Sequence, residues 1–151
     1  MIRGFFATDR SPAQTILRVT LGAVMFAHGA QKLLGWFGGR GFEDTLKGFT
    51  GGHMHIPAFL AVLVILTESV GALALAAGFF TRLAALAIAV DMAVAVILVH
   101  SKIGFFMNWS GTAKGEGFEY HLLMIAMALA LLVKGGGLWS VDGAIAKKLK
   151  A

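Results

Sequence analysis

The stretch FLAVLVILTESVGALALAAGFF, residues 59–80, carries a single charge, Glu68, and is otherwise almost entirely apolar. A helix that is hydrophobic all round belongs in a protein core or in lipid. At 1.5 Å rise per residue, roughly 20 such residues cross the ~30 Å hydrocarbon layer of a bilayer. Three further runs meet a similar test, so helices are predicted over 13–36, 57–78, 82–101 and 119–134. Only 14% of the 151 residues are charged, against about 25% in an average soluble domain. The expected fold is all-α: a polytopic membrane protein, a four-transmembrane-helix bundle formed as a single domain over 1–151. The tail over 138–150 is expected as a short interfacial helix, with Trp139 at headgroup level and its lysines in water.

Ser11 and Pro12 suit the cap and first turn of the first helix. That run has some features of a signal peptide, Arg3 and Arg10 before it and small residues at AHGAQ, and is read as retained. Glycine-rich segments join helices 1 and 2 and helices 3 and 4. Arg3, Arg10, Arg82, Lys134, Lys147, Lys148 and Lys150 fall on one side of the bundle, and Arg40, Lys47, Lys102 and Lys114 on the other. Positive-inside bias then places both termini in the cytoplasm and both long loops on the outer face of a cell (inner) membrane. The net charge of +5 fits contact with anionic membrane lipid and calls for no nucleic acid. The absence of cysteine excludes thiol redox chemistry, cysteine-ligated iron–sulfur clusters and zinc–thiolate sites.

Ionisable side chains within spans are costly, roughly 3 kcal/mol each on insertion scales, and they mark functional sites by default. Here they are Arg18, His28, Lys32, Glu68, Asp91 and His100, with Glu119 and His121 opening the fourth helix. Counting rise per residue puts Glu68 and Asp91 near mid-depth, His28 about 5 Å and Lys32 about 11 Å toward the outer side. The expected site is a polar pocket in the outer half of the bundle. Glu68, His28 and Lys32 are its candidate catalytic residues. His28, Lys32, Glu68, His100, Glu119 and His121 are candidate cofactor contacts; His28 is the partner nearest Glu68 in depth, and Lys32 reaches part of the way. His28 and Lys32, four apart, share a face. Asp91 and His100, nine apart, fall on opposite faces, and Glu119 and His121 cannot both point inward. Arg18 and Asp91 are taken as structural or ion-pair candidates, since polar side chains also hold helices together, through ion pairs or hydrogen bonds, at roughly 1 kcal/mol each. No metal site is expected: HMH (53–55) has copper-compatible ligands but no firm third one.

Beyond these residues, AHGAQKLLGWFGG (27–39) preceded by RVTLG (18–22) resembles the start of a DoxX-family membrane protein. ESVGALALAAGFFTRLAAL (68–86), Asp91-Met92-Ala93, GEGFEYHLLM (115–124) and GLWSVDGAI (137–145) continue the resemblance in order over nearly the whole chain. It implies a four-helix bacterial or archaeal membrane protein linked to quinone-level redox chemistry, and supplies no settled catalytic residues. Three classes of function follow. In the first, a quinone is the cofactor of a redox subunit: His28, Lys32 and His100 donate hydrogen bonds, Glu68 or Glu119 relays protons, and Trp36, Phe37, Phe105 or Phe106 stacks on the ring. Electrons then come from a partner or a small donor on the outer face. In the second, the chain is a non-catalytic anchor docking a redox protein at its outer loops. The third covers haem ligation, with His28 and His121 as ligands, and small proton-coupled transport.

Overall fold

A computed structural model describes residues 2–51 and 54–149; His53 of the HMH stretch and Lys150 lie outside them. The described residues are all helix, turn and loop, with no strand. The helices are α1 (Ile2–Phe6), α2 (Pro12–Leu34), α3 (Gly41–Thr50), α4 (Ala58–Leu66), α5 (Ala72–Ala77), α6 (Thr81–Leu98), α7 (Glu119–Lys134) and α8 (Val141–Lys148). A π-helical turn, Thr67–Gly71, joins α4 to α5 in one rod from Ala58 to Ala77. That rod, and α6 with the 3-10 turn that extends it to Lys102, are long and apolar enough to cross a membrane.

Local chemistry sets most boundaries. Ser11 caps α2, accepting the Ala13 N–H at 3.2 Å, and Pro12 opens it. Gly35 ends it in the left-handed conformation, two residues before the expected stop at Trp36. The segment expected as a glycine-rich loop contains α3, which packs on α2 and α4. Glu43 and Asp44 in its first turn complement the helix dipole, and these charges outweigh the glycines that hid the helix in the sequence.

The core joins α2, α5, α6 and α7 through Leu21, Met25, Leu75, Ile88, Met124 and Leu131. α2 sits very close to the α4–α5 rod. A Cβ on Gly22 would lie 2.7 Å from the Ala72 carbonyl, and one on Gly29 would overlap the Glu68 carbonyl. Small residues let helix backbones approach in this way. α4 itself leans on α2 and α3, while the π turn and α5 pack on α6. The rod and α6 therefore diverge toward the end where α3 and the 103–118 loop lie.

The opposite end is tied by polar contacts. Asp142 accepts the Phe80 and Thr81 N–H groups, each at 2.8 Å, and so caps α6 from α8. Arg18, expected as a structural or ion-pair residue, holds the structure through hydrogen bonds rather than an ion pair, donating to the carbonyls of Ala76, Gly136, Leu138 and Trp139. Its charge is met by backbone dipoles gathered where the α5–α6 turn meets the loop before α8. Arg82 likewise donates to the carbonyls of Ala7, Leu132 and Val133.

Candidate functional site

The π turn is what aims Glu68. Such turns insert an extra residue into a helix and recur at functional sites. Here adjacent Glu68 and Ser69 are both buried, and the Ser69 hydroxyl donates to the Ile65 carbonyl at 2.5 Å, covering a backbone acceptor. Because Gly29 lets the turn seat directly on α2, Glu68 comes within reach of that helix, and its carboxylate pairs with Lys32.

Of the two partners expected for Glu68, His28 nearest in depth and Lys32 reaching part of the way, it is Lys32 that makes the pair. Side chains on a helix lean toward its N-terminus, so the long Lys32 stem reaches back over the turn that carries His28. The His28 ring lies instead beside Tyr120, ring centroids 6.0 Å apart.

Glu68 and Lys32 form part of the wall of a cavity of about 380 Å³. It is lined by buried Met25, Glu68, Asp91, Met92 and His121, by His28 and Tyr120, and by Phe49, Met54 and Ile56 from α3 and the loop after it. The volume lies in the range of small-molecule sites, which are mostly apolar with a few convergent polar groups. Three of those polar groups have no hydrogen-bond partner among the described residues: Asp91 Oδ2, Tyr120 OH and His121 Nδ1. Buried polar atoms are paired in the great majority of native proteins, and each exception asks for an explanation.

Asp91, taken from the sequence as an ion-pair residue, has no cation within salt-bridge distance among the described residues. It lies beside Glu68, close enough for the two carboxyl groups to share a hydrogen bond, on the wall of the cavity. His100 also lines the cavity, against the expectation that it would face away from Asp91. The helical count fails because α6 ends at Leu98 and Val99 turns the backbone, at φ −122°, into a 3-10 turn. His100 Nδ1 lies 2.8 Å from the Glu116 carbonyl. A carbonyl only accepts, so Nδ1 carries the proton and a neutral ring presents Nε2 as an acceptor. The His100 and His121 rings stack with centroids 4.0 Å apart.

Glu119 is not among the cavity-lining residues. Two residues from His121, it points away and accepts the Met107 N–H at 2.8 Å and the Trp109 indole N–H at 3.3 Å, fixing the 103–118 loop. Nor do Trp36, Phe37, Phe105 or Phe106 reach the cavity; all four are exposed, and Trp36 packs edge-on against Phe26. The aromatic walls are Phe49 and Tyr120. Tyr120 is the only tyrosine in the chain, and its place beside His121 at the start of an apolar run is the sequence signal that points to it. Among the described residues no group of three or more potential ligands is placed to hold a metal ion.

Comparison with known proteins bears on this arrangement. A protein-family model described as DoxX matches residues 13–101. The Bacillus subtilis (strain 168) protein named "Putative oxidoreductase CatD" is 31% identical over 116 residues, covering 77% of this chain and 75% of that protein. The Escherichia coli (strain K12) "Inner membrane protein YqjF" is 28% identical over 133 residues, covering 88% of this chain and 92% of that protein. No solved structure gives a significant match. The family match takes in α2 to α6, and with them Lys32, Glu68, Asp91 and His100: the chain belongs to the DoxX family.

Proposed function

We propose that this DoxX-family protein is a single membrane domain in which α2, the α4–α5 rod, α6 and α7 each cross the bilayer. Both termini lie in the cytoplasm, and the cavity receives the headgroup of a lipid-soluble quinone as part of an oxidoreductase. The membrane reading is supported by the two long apolar helices and by outward-facing Ile16 and Val19 on α2 and Leu123 and Val133 on α7. The names of the relatives, an inner membrane protein and an oxidoreductase, point the same way.

The observation that carries the site is the convergence of Asp91 Oδ2, Tyr120 OH and His121 Nδ1, all unpartnered, with the Lys32–Glu68 pair on one mostly apolar cavity. A quinone has two carbonyl acceptors on an apolar ring and takes up two protons and two electrons on reduction. In this site the Tyr120 hydroxyl and a protonated His121 nitrogen are the donors, and Lys32 balances one of the two carboxylates. The other carboxyl, Asp91 with Glu68 beside it, is the group placed to pass protons. The His100–His121 stack lines the same cavity, with His100 Nδ1 held by the Glu116 carbonyl. Electrons come from a redox partner or a small donor on the outer face. The divergence of α4 from α6 leaves apolar Val64 and Val94 on the cavity wall, the side from which a lipid-phase ligand would enter.

The anchor reading has its own support: exposed aromatics cluster on the outer loops, with Phe106 76% and Trp109 87% exposed, as a docking surface for a redox protein would require. Haem has less support, because the His28 and His121 rings already lie against Tyr120 and His100. Transport has less as well, since the rod runs unbroken from Ala58 to Ala77 through the π turn.

Purification in mild detergent, followed by lipid extraction and mass spectrometry, tests the proposal. Quinone near one per chain, lost in Glu68→Gln, supports it. A protein without quinone that still captures a redox partner, and loses it on Arg40→Glu, supports the anchor instead.

A further inference from the structure

A second cavity, about 710 Å³, lies at the end of the molecule remote from the first, between the segment after α1 and the segment that leads into α8. Its polar rim carries Arg10, Lys147 and Lys148, and no carboxylate lines it. None of these cations has an ion-pair partner among the described residues. The nearby acids are engaged elsewhere: Asp142 caps α6, and Asp9 lies 3.6 Å from Lys134. The floor is apolar, with Leu138, Ala144 and Ala146.

Trp139 completes the groove. It is 85% exposed and holds a left-handed backbone at φ 53°, a conformation that is a clear outlier for a bulky side chain. Arg18 bonds the Trp139 carbonyl and Gly137 donates to the Thr8 hydroxyl at 2.6 Å, so the surrounding contacts hold the indole outward. An outward indole beside cations at the end of apolar helices matches a headgroup-level anchor.

We propose that this groove is a binding site for an anionic phospholipid: Arg10, Lys147 and Lys148 take the phosphate, and Leu138, Ala144, Ala146 and Trp139 take the start of the acyl chains. The apolar floor favours a lipid over a free phosphate ester, whose charge three exposed lysines and arginines could hold without it. The site uses the membrane placement proposed above and is independent of the quinone cavity. Each basic residue near an anionic surface is worth about a fivefold preference, so the three together supply roughly a hundredfold.

The test uses W36F/W109F protein, in which Trp139 is the only fluorophore of its kind, reconstituted in vesicles containing brominated lipid. Brominated phosphatidylglycerol should quench Trp139 with at least tenfold higher apparent affinity than brominated phosphatidylcholine. That preference should vanish in R10Q/K147Q/K148Q and persist in R10K/K147R/K148R. All three side chains are exposed, so these variants should fold, and equal helical circular dichroism would verify it. Equal quenching by the two lipids in the parent would overturn the proposal. So would full displacement of phosphatidylglycerol by millimolar glycerol phosphate, which would assign the groove to a soluble phosphate ester. Failure of the protein to enter vesicles at all would overturn the membrane placement instead.

Discussion

Lys32 of α2 and Glu68 of the π turn form an ion pair in which the acid side chain is 6% exposed and the base 24%. The pair is asymmetric: the carboxylate depends on the ammonium far more than the reverse. Removing one partner of a buried pair leaves an uncompensated charge and costs about 3–5 kcal/mol. Lys32→Met should fall at the lower end of about that range, because the ammonium keeps some access to solvent. The double variant Lys32→Met with Glu68→Gln should recover most of the loss. Denaturation of the detergent-solubilised protein reads both, and equal instability of the single and double variants would contradict the pairing.

Tyr120→Phe separates ligand binding from folding. The hydroxyl has no partner among the described residues, so deleting it removes an unsatisfied group and should leave stability unchanged or raised by about 1 kcal/mol. Quinone affinity should drop about tenfold, the worth of roughly one hydrogen bond in a dry site. A variant that is less stable but binds equally well would show that the hydroxyl serves the fold.

Gly29→Ala places a Cβ on the Glu68 carbonyl. Forced separation of α2 from the π turn should cost about 1–3 kcal/mol and disperse the cavity residues, with ligand lost in the same variant. Gly4→Ala, where a Cβ meets nothing within 4 Å, is the control and should stay within about 0.5 kcal/mol of the parent. Thermal melts with and without added quinone distinguish the two.

Asp142→Ala strips both accepting oxygens from the Phe80 and Thr81 N–H groups. With the amides left near a buried interface, the loss should be about 2–4 kcal/mol. Because the cap sits at the other end of the molecule, ligand affinity below the melting temperature should be unchanged.

The helices were legible where the sequence is uniformly apolar: the predicted spans 57–78 and 119–134 differ from Ala58–Ala77 and Glu119–Lys134 by at most one residue at either end. What periodicity could not reveal were departures from it. The π turn at Thr67–Gly71 and the 3-10 turn at His100 both shift the helical phase; the second brings His100 into the cavity that Asp91 also lines, against a count of nine. Depth ranked His28 ahead of Lys32 as the partner of Glu68, and the backward lean of the long Lys32 side chain reverses that order. Arg18 read as a charge needing a carboxylate, but only the folded loop over 135–140 reveals carbonyls collected around it. α3 was hidden by its glycines, although its acidic first turn was visible.

The central claim is that the orphaned polar atoms of the cavity hold a quinone headgroup. Titration of the purified protein with a short-chain ubiquinone analogue, followed by isothermal calorimetry in detergent, tests it most directly. The account predicts saturable binding at one per chain, weakened about tenfold in Tyr120→Phe and further in Asp91→Asn with His121→Phe. Saturable binding that these substitutions leave unchanged, or no binding by folded protein, would contradict it.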